Sequence, residues 1–199
     1  MSLLSIPNLL RLVIETLRSP RETFASLNRL DLPRDALWMA LLLTVLISMI
    51  FGTALSIAIG PPEQVAEDAP ELAVPNPFFL GLAQMAILSV SVVLIDRVGR
   101  LMGGSGGFSG AILAVAWLQF VLTCFQIVQS LLMLAAPALG VPLFAAGLVV
   151  FFWLLTCFVT ELHGFSSLGR VFGMIVFVMI GLALGLSLIL TLLGVTVTR

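Results

Sequence analysis

Five long apolar segments, none containing Asp, Glu, Lys, Arg or His, constrain the fold of this chain more than any other feature. They cover residues 36–59, 78–95, 109–136, 143–160 and 171–195. A bilayer core about 30 Å thick is crossed by a helix of about 20 apolar residues, and all five segments reach or approach that length. The predicted fold class is therefore all-α: a polytopic membrane protein with a bundle of five transmembrane helices.

The composition agrees with this class and fixes the domain organisation. The 199-residue chain is 60% hydrophobic and 10% charged, whereas a soluble domain carries roughly 25% charged residues. Residues 36–199 are predicted to form one membrane domain, and residues 1–35 a cytoplasmic amphipathic N-terminal segment. A signal peptide is not expected, because the first short apolar run is interrupted by Arg11 and Glu15.

The arginines predict the orientation of the spans. Eight of the nine lie before the first segment or in the gaps after the second and fourth segments, and the chain contains no Lys. The gap at 60–77 holds only acidic charges, and the gap at 137–142 holds none. The positive-inside rule assigns the arginine-rich side to the cytoplasm of an inner membrane. The N-terminus is then cytoplasmic and the C-terminus extracytoplasmic.

The N-terminal segment is predicted to contain two short helices. In the first, residues 8–17, Arg11, Glu15 and Arg18 recur on the polar side of an amphipathic pattern. That helix lies along the membrane surface or packs under the bundle, and docking of a partner is the alternative. A second helix begins at residues 19–22, where Ser19, Pro20 and Glu22 form a capping-box pattern.

Polar side chains recur on one face of the third segment: Gln119, Thr123, Gln126 and Ser130. Placing an unpaired amide in hydrocarbon costs roughly several kcal/mol of free energy. This stripe is therefore expected to face other helices or a water-filled cavity. It serves interhelical hydrogen bonding, or it lines a path for a lipid headgroup or small solute. In the fifth segment, Gly181 and Gly185 lie four residues apart and favour close helix packing or dimerisation.

The only histidine, His163, lies two residues after Glu161 and close to two serines. These are the residue types of a hydrolase triad, but triads normally gather groups from distant segments. A solvated cytoplasmic loop is therefore the favoured interpretation. The glycine-rich stretch at 99–107 lacks the Lys of a phosphate-binding loop and is interpreted as a flexible turn. The candidate cytoplasmic interaction residues are Arg11, Glu15, Arg18, Glu161, His163 and Arg170.

No metal or cofactor is expected, and no catalytic residue is assigned. Cys124 and Cys157 both lie in apolar segments and lack metal-ligand spacing, so they are interpreted as buried thiols, with a disulfide as the alternative. A net charge of −1 excludes nucleic acid as a predicted partner. The expected partners are membrane lipid and other membrane proteins or a second copy of the chain.

Three stretches resemble bacterial members of the Yip-domain family, relatives of the Ypt/Rab-interacting membrane proteins. They are RSPRETFASL at 18–27, the glycine-rich turn running into Phe108, and ELHGFS at 161–166. The resemblance implies a non-enzymatic polytopic membrane protein, whose eukaryotic relatives act in vesicle trafficking and bind prenylated GTPases. This chain has no Tyr and lacks the Asp-Leu-Tyr-Gly-Pro motif of those relatives, so GTPase binding is not transferred to it.

The leading functional hypothesis is a membrane scaffold or interaction protein whose N-terminal helices form the contact surface. The alternative is a lipid or small-solute handling protein that uses the polar stripe on the third span. A membrane hydrolase centred on His163 is the third hypothesis.

Overall fold

The computed structural model describes residues 6–59 and 76–192, and within those ranges the chain is helical, without strands. Seven α-helices follow one another, with a short 3-10 helix at Pro137–Leu139. They are α1 (Ile6–Arg18), α2 (Pro20–Asn28), α3 (Arg34–Ile59), α4 (Pro77–Leu101), α5 (Phe108–Ala135), α6 (Gly140–His163) and α7 (Leu168–Leu192).

Helices α3 to α7 are each long and apolar enough to cross a membrane, which confirms the predicted polytopic all-α class. The helix ends differ from the apolar segments mainly at α4, which continues six residues past position 95 to Leu101. Asp96 and Arg100 therefore lie on the last turns of a helix and not in a loop. Most of the acidic gap at 60–77 and the end of the fifth segment lie outside the described residues.

Helix α5 lies at the centre of the bundle and packs against α3, α4 and α6. Every residue from 110 to 118 is buried. The facing helices contribute fully buried side chains of their own: Leu41, Val92 and Leu154. Helix α7 lies at the periphery and packs mainly on α6, through Val171 and Ile175.

Helices α1 and α2 pack under the bundle, which for α1 is one of the two arrangements expected from the sequence. The Thr16 hydroxyl accepts a hydrogen bond of 3.0 Å from the indole Nε1 of Trp117. Phe24 of α2 stacks on Phe158 of α6 with ring centroids 5.0 Å apart. Both helices therefore lie at the end of the bundle where α4 and α6 terminate, which we call the arginine-rich end.

The predicted capping box at Ser19 does not form, because the Ser19 side chain makes no cap hydrogen bond. Its backbone serves both helices instead. The Ser19 N–H donates to the Glu15 carbonyl of α1, and the Ser19 carbonyl accepts from Thr23 of α2. Pro20 does occupy the first position of α2, as predicted.

Candidate functional site

The side chain of His163 is buried at the end of α6, with 3% of the residue exposed. Its Nε2 lies 3.0 Å from the Ile95 carbonyl oxygen, and its Nδ1 accepts the Gly106 N–H at 3.2 Å. This pairing assigns the neutral tautomer with the proton on Nε2, because a carbonyl only accepts and an N–H only donates. The prediction of a solvated loop is wrong for His163, and its burial keeps it from contacting a soluble partner directly.

Three glycines surround the imidazole ring of His163: Gly99, Gly104 and Gly106. A methyl group on any of them would collide with that side chain. The Ser105 N–H also donates to the His163 carbonyl oxygen at 3.2 Å. We call His163 and these glycines the histidine–glycine clasp. The glycine-rich turn, interpreted from sequence as flexible, is packed in the structure because its glycines admit the ring.

A buried carboxylate, Asp96, lies next to the clasp on α4. One oxygen, Oδ2, accepts a hydrogen bond from Arg100 and lies 3.9 Å from Nε of Arg97. The other, Oδ1, is buried and has no hydrogen-bond partner among the described residues. The side chains of both arginines remain more than half exposed. Sequence reasoning missed this cluster because position 96 falls just past the apolar segment.

The predicted interaction residues lie in three places at the arginine-rich end. Arg11 and Glu15 form an exposed ion pair of 2.9 Å along α1, with Arg18 exposed at its end. Glu161 pairs instead with Arg21 of α2 at 3.0 Å, so it joins α6 to the N-terminal helices. Arg170 is exposed on the first turn of α7.

Removing the Arg21–Glu161 pair is expected to have a small effect on stability. The side chains are 45% and 30% exposed, and exposed ion pairs contribute about 0 to 1 kcal/mol. A double-mutant cycle with Arg21→Ala and Glu161→Ala, followed by thermal unfolding in detergent, should give a coupling free energy below about 1 kcal/mol. A coupling of several kcal/mol would show that the pair, and not the apolar contact beneath it, holds α2.

The four residues of the polar stripe on α5 do not share one environment. The Thr123 hydroxyl is buried and donates to the Gln119 carbonyl of its own helix at 2.8 Å. Gln119 and Ser130 are half-buried, whereas Gln126 is exposed on the outside of the bundle. The side chains therefore diverge although the positions lie on one helix face.

Gly181 and Gly185 do not mediate packing within the described part of the chain. A methyl group at either position would meet no atom within 4 Å, because α7 faces α6 through Val171 and Ile175 instead. Packing between copies of the chain stays a prediction for this pair. Cys124 and Cys157 are free thiols, so the alternative of a disulfide between them is not realised.

An apolar cleft of about 320 Å³ lies between α4 and α7, with α5 and α6 forming its floor. Leu94 and Val98 contribute to one wall, and Met174 and Val178 to the other. Ser91 and Gln119 are the polar side chains among the lining residues. Helices α4 and α7 do not pack closely on each other, so the cleft is open on the side that faces the bilayer.

A family model of the Yip1 domain matches residues 14–189, which is most of the chain. The match includes His163 and the three glycines of the histidine–glycine clasp, and the candidate membrane spans of all five long helices. Neither the curated proteins nor the solved structures contain a match to this chain.

Proposed function

This chain belongs to the Yip1 domain family, and from that premise we propose that it is a non-enzymatic scaffold or interaction protein of the cytoplasmic membrane. It is a multi-pass integral membrane protein. In the proposed function, the surface that binds other proteins is the outer face of α1, held in a fixed position by the bundle.

The observation that carries the proposal is the anchoring of α1 and α2. Thr16 and Val13 are buried against the bundle, so the opposite side of α1 is presented in one orientation. On that side Leu10 and Ile14 are 49% and 53% exposed, beside the Arg11–Glu15 pair and Arg18. An apolar pair rimmed by charges is typical of a protein contact surface.

The geometry of His163 supports the non-enzymatic part of the proposal. A general base needs a ring nitrogen that can accept a proton from the substrate. In the structure Nε2 faces a carbonyl oxygen and Nδ1 accepts a backbone N–H. Ser167, one of the two serines considered for a triad, accepts the N–H of Arg170 instead. The geometry therefore favours a structural role for the histidine.

The orientation proposed from the sequence is supported by the clustering of arginines. Eight of nine lie on α1, α2, the first turns of α3 and α7, the last turns of α4 or the connection after α2. These elements meet at one end of the bundle. The positive-inside rule places such an end in the cytoplasm, where soluble partners would reach α1.

We expect Arg18→Glu to reduce partner recovery about tenfold when the full-length protein is purified from native membranes. Reversing a charge at an interface replaces an attraction by a repulsion, and about 1.4 kcal/mol corresponds to tenfold in affinity. Quantitative mass spectrometry of the co-purified proteins measures the change. Arg29→Glu, one residue after the end of α2, is the matched control because it makes the same charge change on another exposed residue.

Recovery reduced by Arg18→Glu and retained by Arg29→Glu would support the α1 surface. Two results would contradict the proposal: unchanged recovery with both Arg18→Glu and Leu10→Glu, or a wild-type protein that is purified as a monomer without associated proteins.

A further inference from the structure

We propose that the cleft between α4 and α7 binds one acyl chain of an anionic phospholipid, whose headgroup lies against Arg97 and Arg170. This site goes beyond the scaffold function proposed above and does not depend on it.

The length of the cleft fits one leaflet of a bilayer. Its α4 wall runs from Ile87 to Gly99, which at 1.5 Å per residue is about 18 Å. Half of a bilayer core is about 15 Å. The cleft begins near the last turns of α4, so it extends from the arginine-rich end to about the middle of the membrane. An apolar groove of this length, open to the bilayer, matches a single chain of a lipid in that leaflet.

The charges at the mouth of the cleft select the headgroup. Neither arginine lines the cleft itself, but each lies within one helical turn of its arginine-rich end: Arg170 precedes the wall residue Met174 by four residues, and Arg97 is next to the wall residue Val98. Both arginines are exposed. Among the described residues, the carboxylate that pairs with Arg97 is Asp96, which is buried and lies closer to Arg100 than to Arg97. The mouth therefore carries excess positive charge, which complements a phosphodiester with a net negative charge.

Native mass spectrometry of the full chain tests the site, after reconstitution with equal amounts of phosphatidylglycerol and phosphatidylcholine of the same chain length. We expect wild type to retain phosphatidylglycerol several-fold over phosphatidylcholine. Arg97→Gln and Arg170→Gln should each reduce that preference by up to about fivefold. Lipid acyl chains should still bind in the cleft of both variants. Ser91→Phe, which fills the cleft, should reduce retention of both lipids.

Val90→Phe is the matched control, because Val90 is an exposed neighbour on α4 outside the cleft. Val178→Phe fills the same cleft from α7 and replaces Ser91→Phe if that variant fails to fold. Equal retention of the two lipids by wild type would overturn the headgroup assignment. Lipid retention that is unchanged in both filling variants would overturn the site. It would also be overturned if the wild type is a dimer, the filling variants are monomers, and the amount of bound lipid is the same in both. None of these lipid measurements requires a protein partner, so failure of the scaffold proposal would leave this test unaffected.

Discussion

Gly99→Ala is expected to lower the free energy of unfolding by about 2 kcal/mol, although alanine is the better helix former. Gly99 lies within α4, and the ring of His163 occupies the space where a side chain would be. Hydrogen bonds at both ring nitrogens hold that ring in place, so it cannot move aside without breaking one of them. The thermal unfolding midpoint in detergent, followed by tryptophan fluorescence, measures the loss.

The sign of the effect should change when His163 is absent. In a His163→Ala background the added methyl group enters the vacated space, and Gly99→Ala should then be neutral or stabilising by up to about 1 kcal/mol. Gly173→Ala on α7 is the control for helix propensity alone, because no atom lies within 4 Å of its added carbon. An equal loss with and without His163 would refute the role of the clasp.

Phe24→Ala is expected to have a larger effect, lowering stability by about 3 to 5 kcal/mol. Phe24 and Phe158 are both fully buried and stacked, and the truncation leaves a cavity between α2 and α6 in addition to the lost apolar contact. Because the Arg21–Glu161 pair is partly exposed, it cannot hold α2 in place by itself. We expect α1 and α2 to detach while α3 to α7 remain inserted.

Limited trypsin digestion of the detergent-solubilised protein reports this detachment directly. Arg18, Arg21 and Arg29 should be cleaved faster in Phe24→Ala than in wild type, while cleavage after Arg97 and Arg100 is unchanged. Leu30→Ala is the matched control, because Leu30 follows the same helix but is 45% exposed. Uniform acceleration at all sites would indicate global unfolding and would contradict independent docking of the N-terminal helices.

The sequence was sufficient to predict the helices but not the faces on which they pack. Charge-free segments identify spans because ionised groups are excluded from hydrocarbon, and the amphipathic pattern at 8–17 identified α1. In the spans the outside is as apolar as the inside, so periodicity does not distinguish Gln119 beside the cleft from exposed Gln126. The central position of α5 depends on its contacts with α3, which is not its neighbour in sequence, as well as with α4 and α6.

The histidine–glycine clasp shows the same limit at the level of single residues. The glycine-rich stretch at 99–107 and His163 are both conspicuous in the sequence. They lie about 60 positions apart, and no local sequence pattern predicts that they are in contact. A polar residue at the end of an apolar segment is normally solvated, which is why the loop interpretation was natural. The burial depends on three glycines whose missing side chains make room for one ring, and only the tertiary structure reveals that fit.

The docking of the N-terminal helices has a consequence for how the chain is made. Arg21 and Glu161 lie 140 residues apart, and Phe158 is almost as far from Phe24. Translation at about 5 to 20 residues per second therefore separates the appearance of α2 from that of its binding site on α6 by roughly 7 to 28 s. During that interval Phe24 has no stacking partner. The amphipathic N-terminal helices are therefore expected to lie at the membrane surface until α6 has been synthesised.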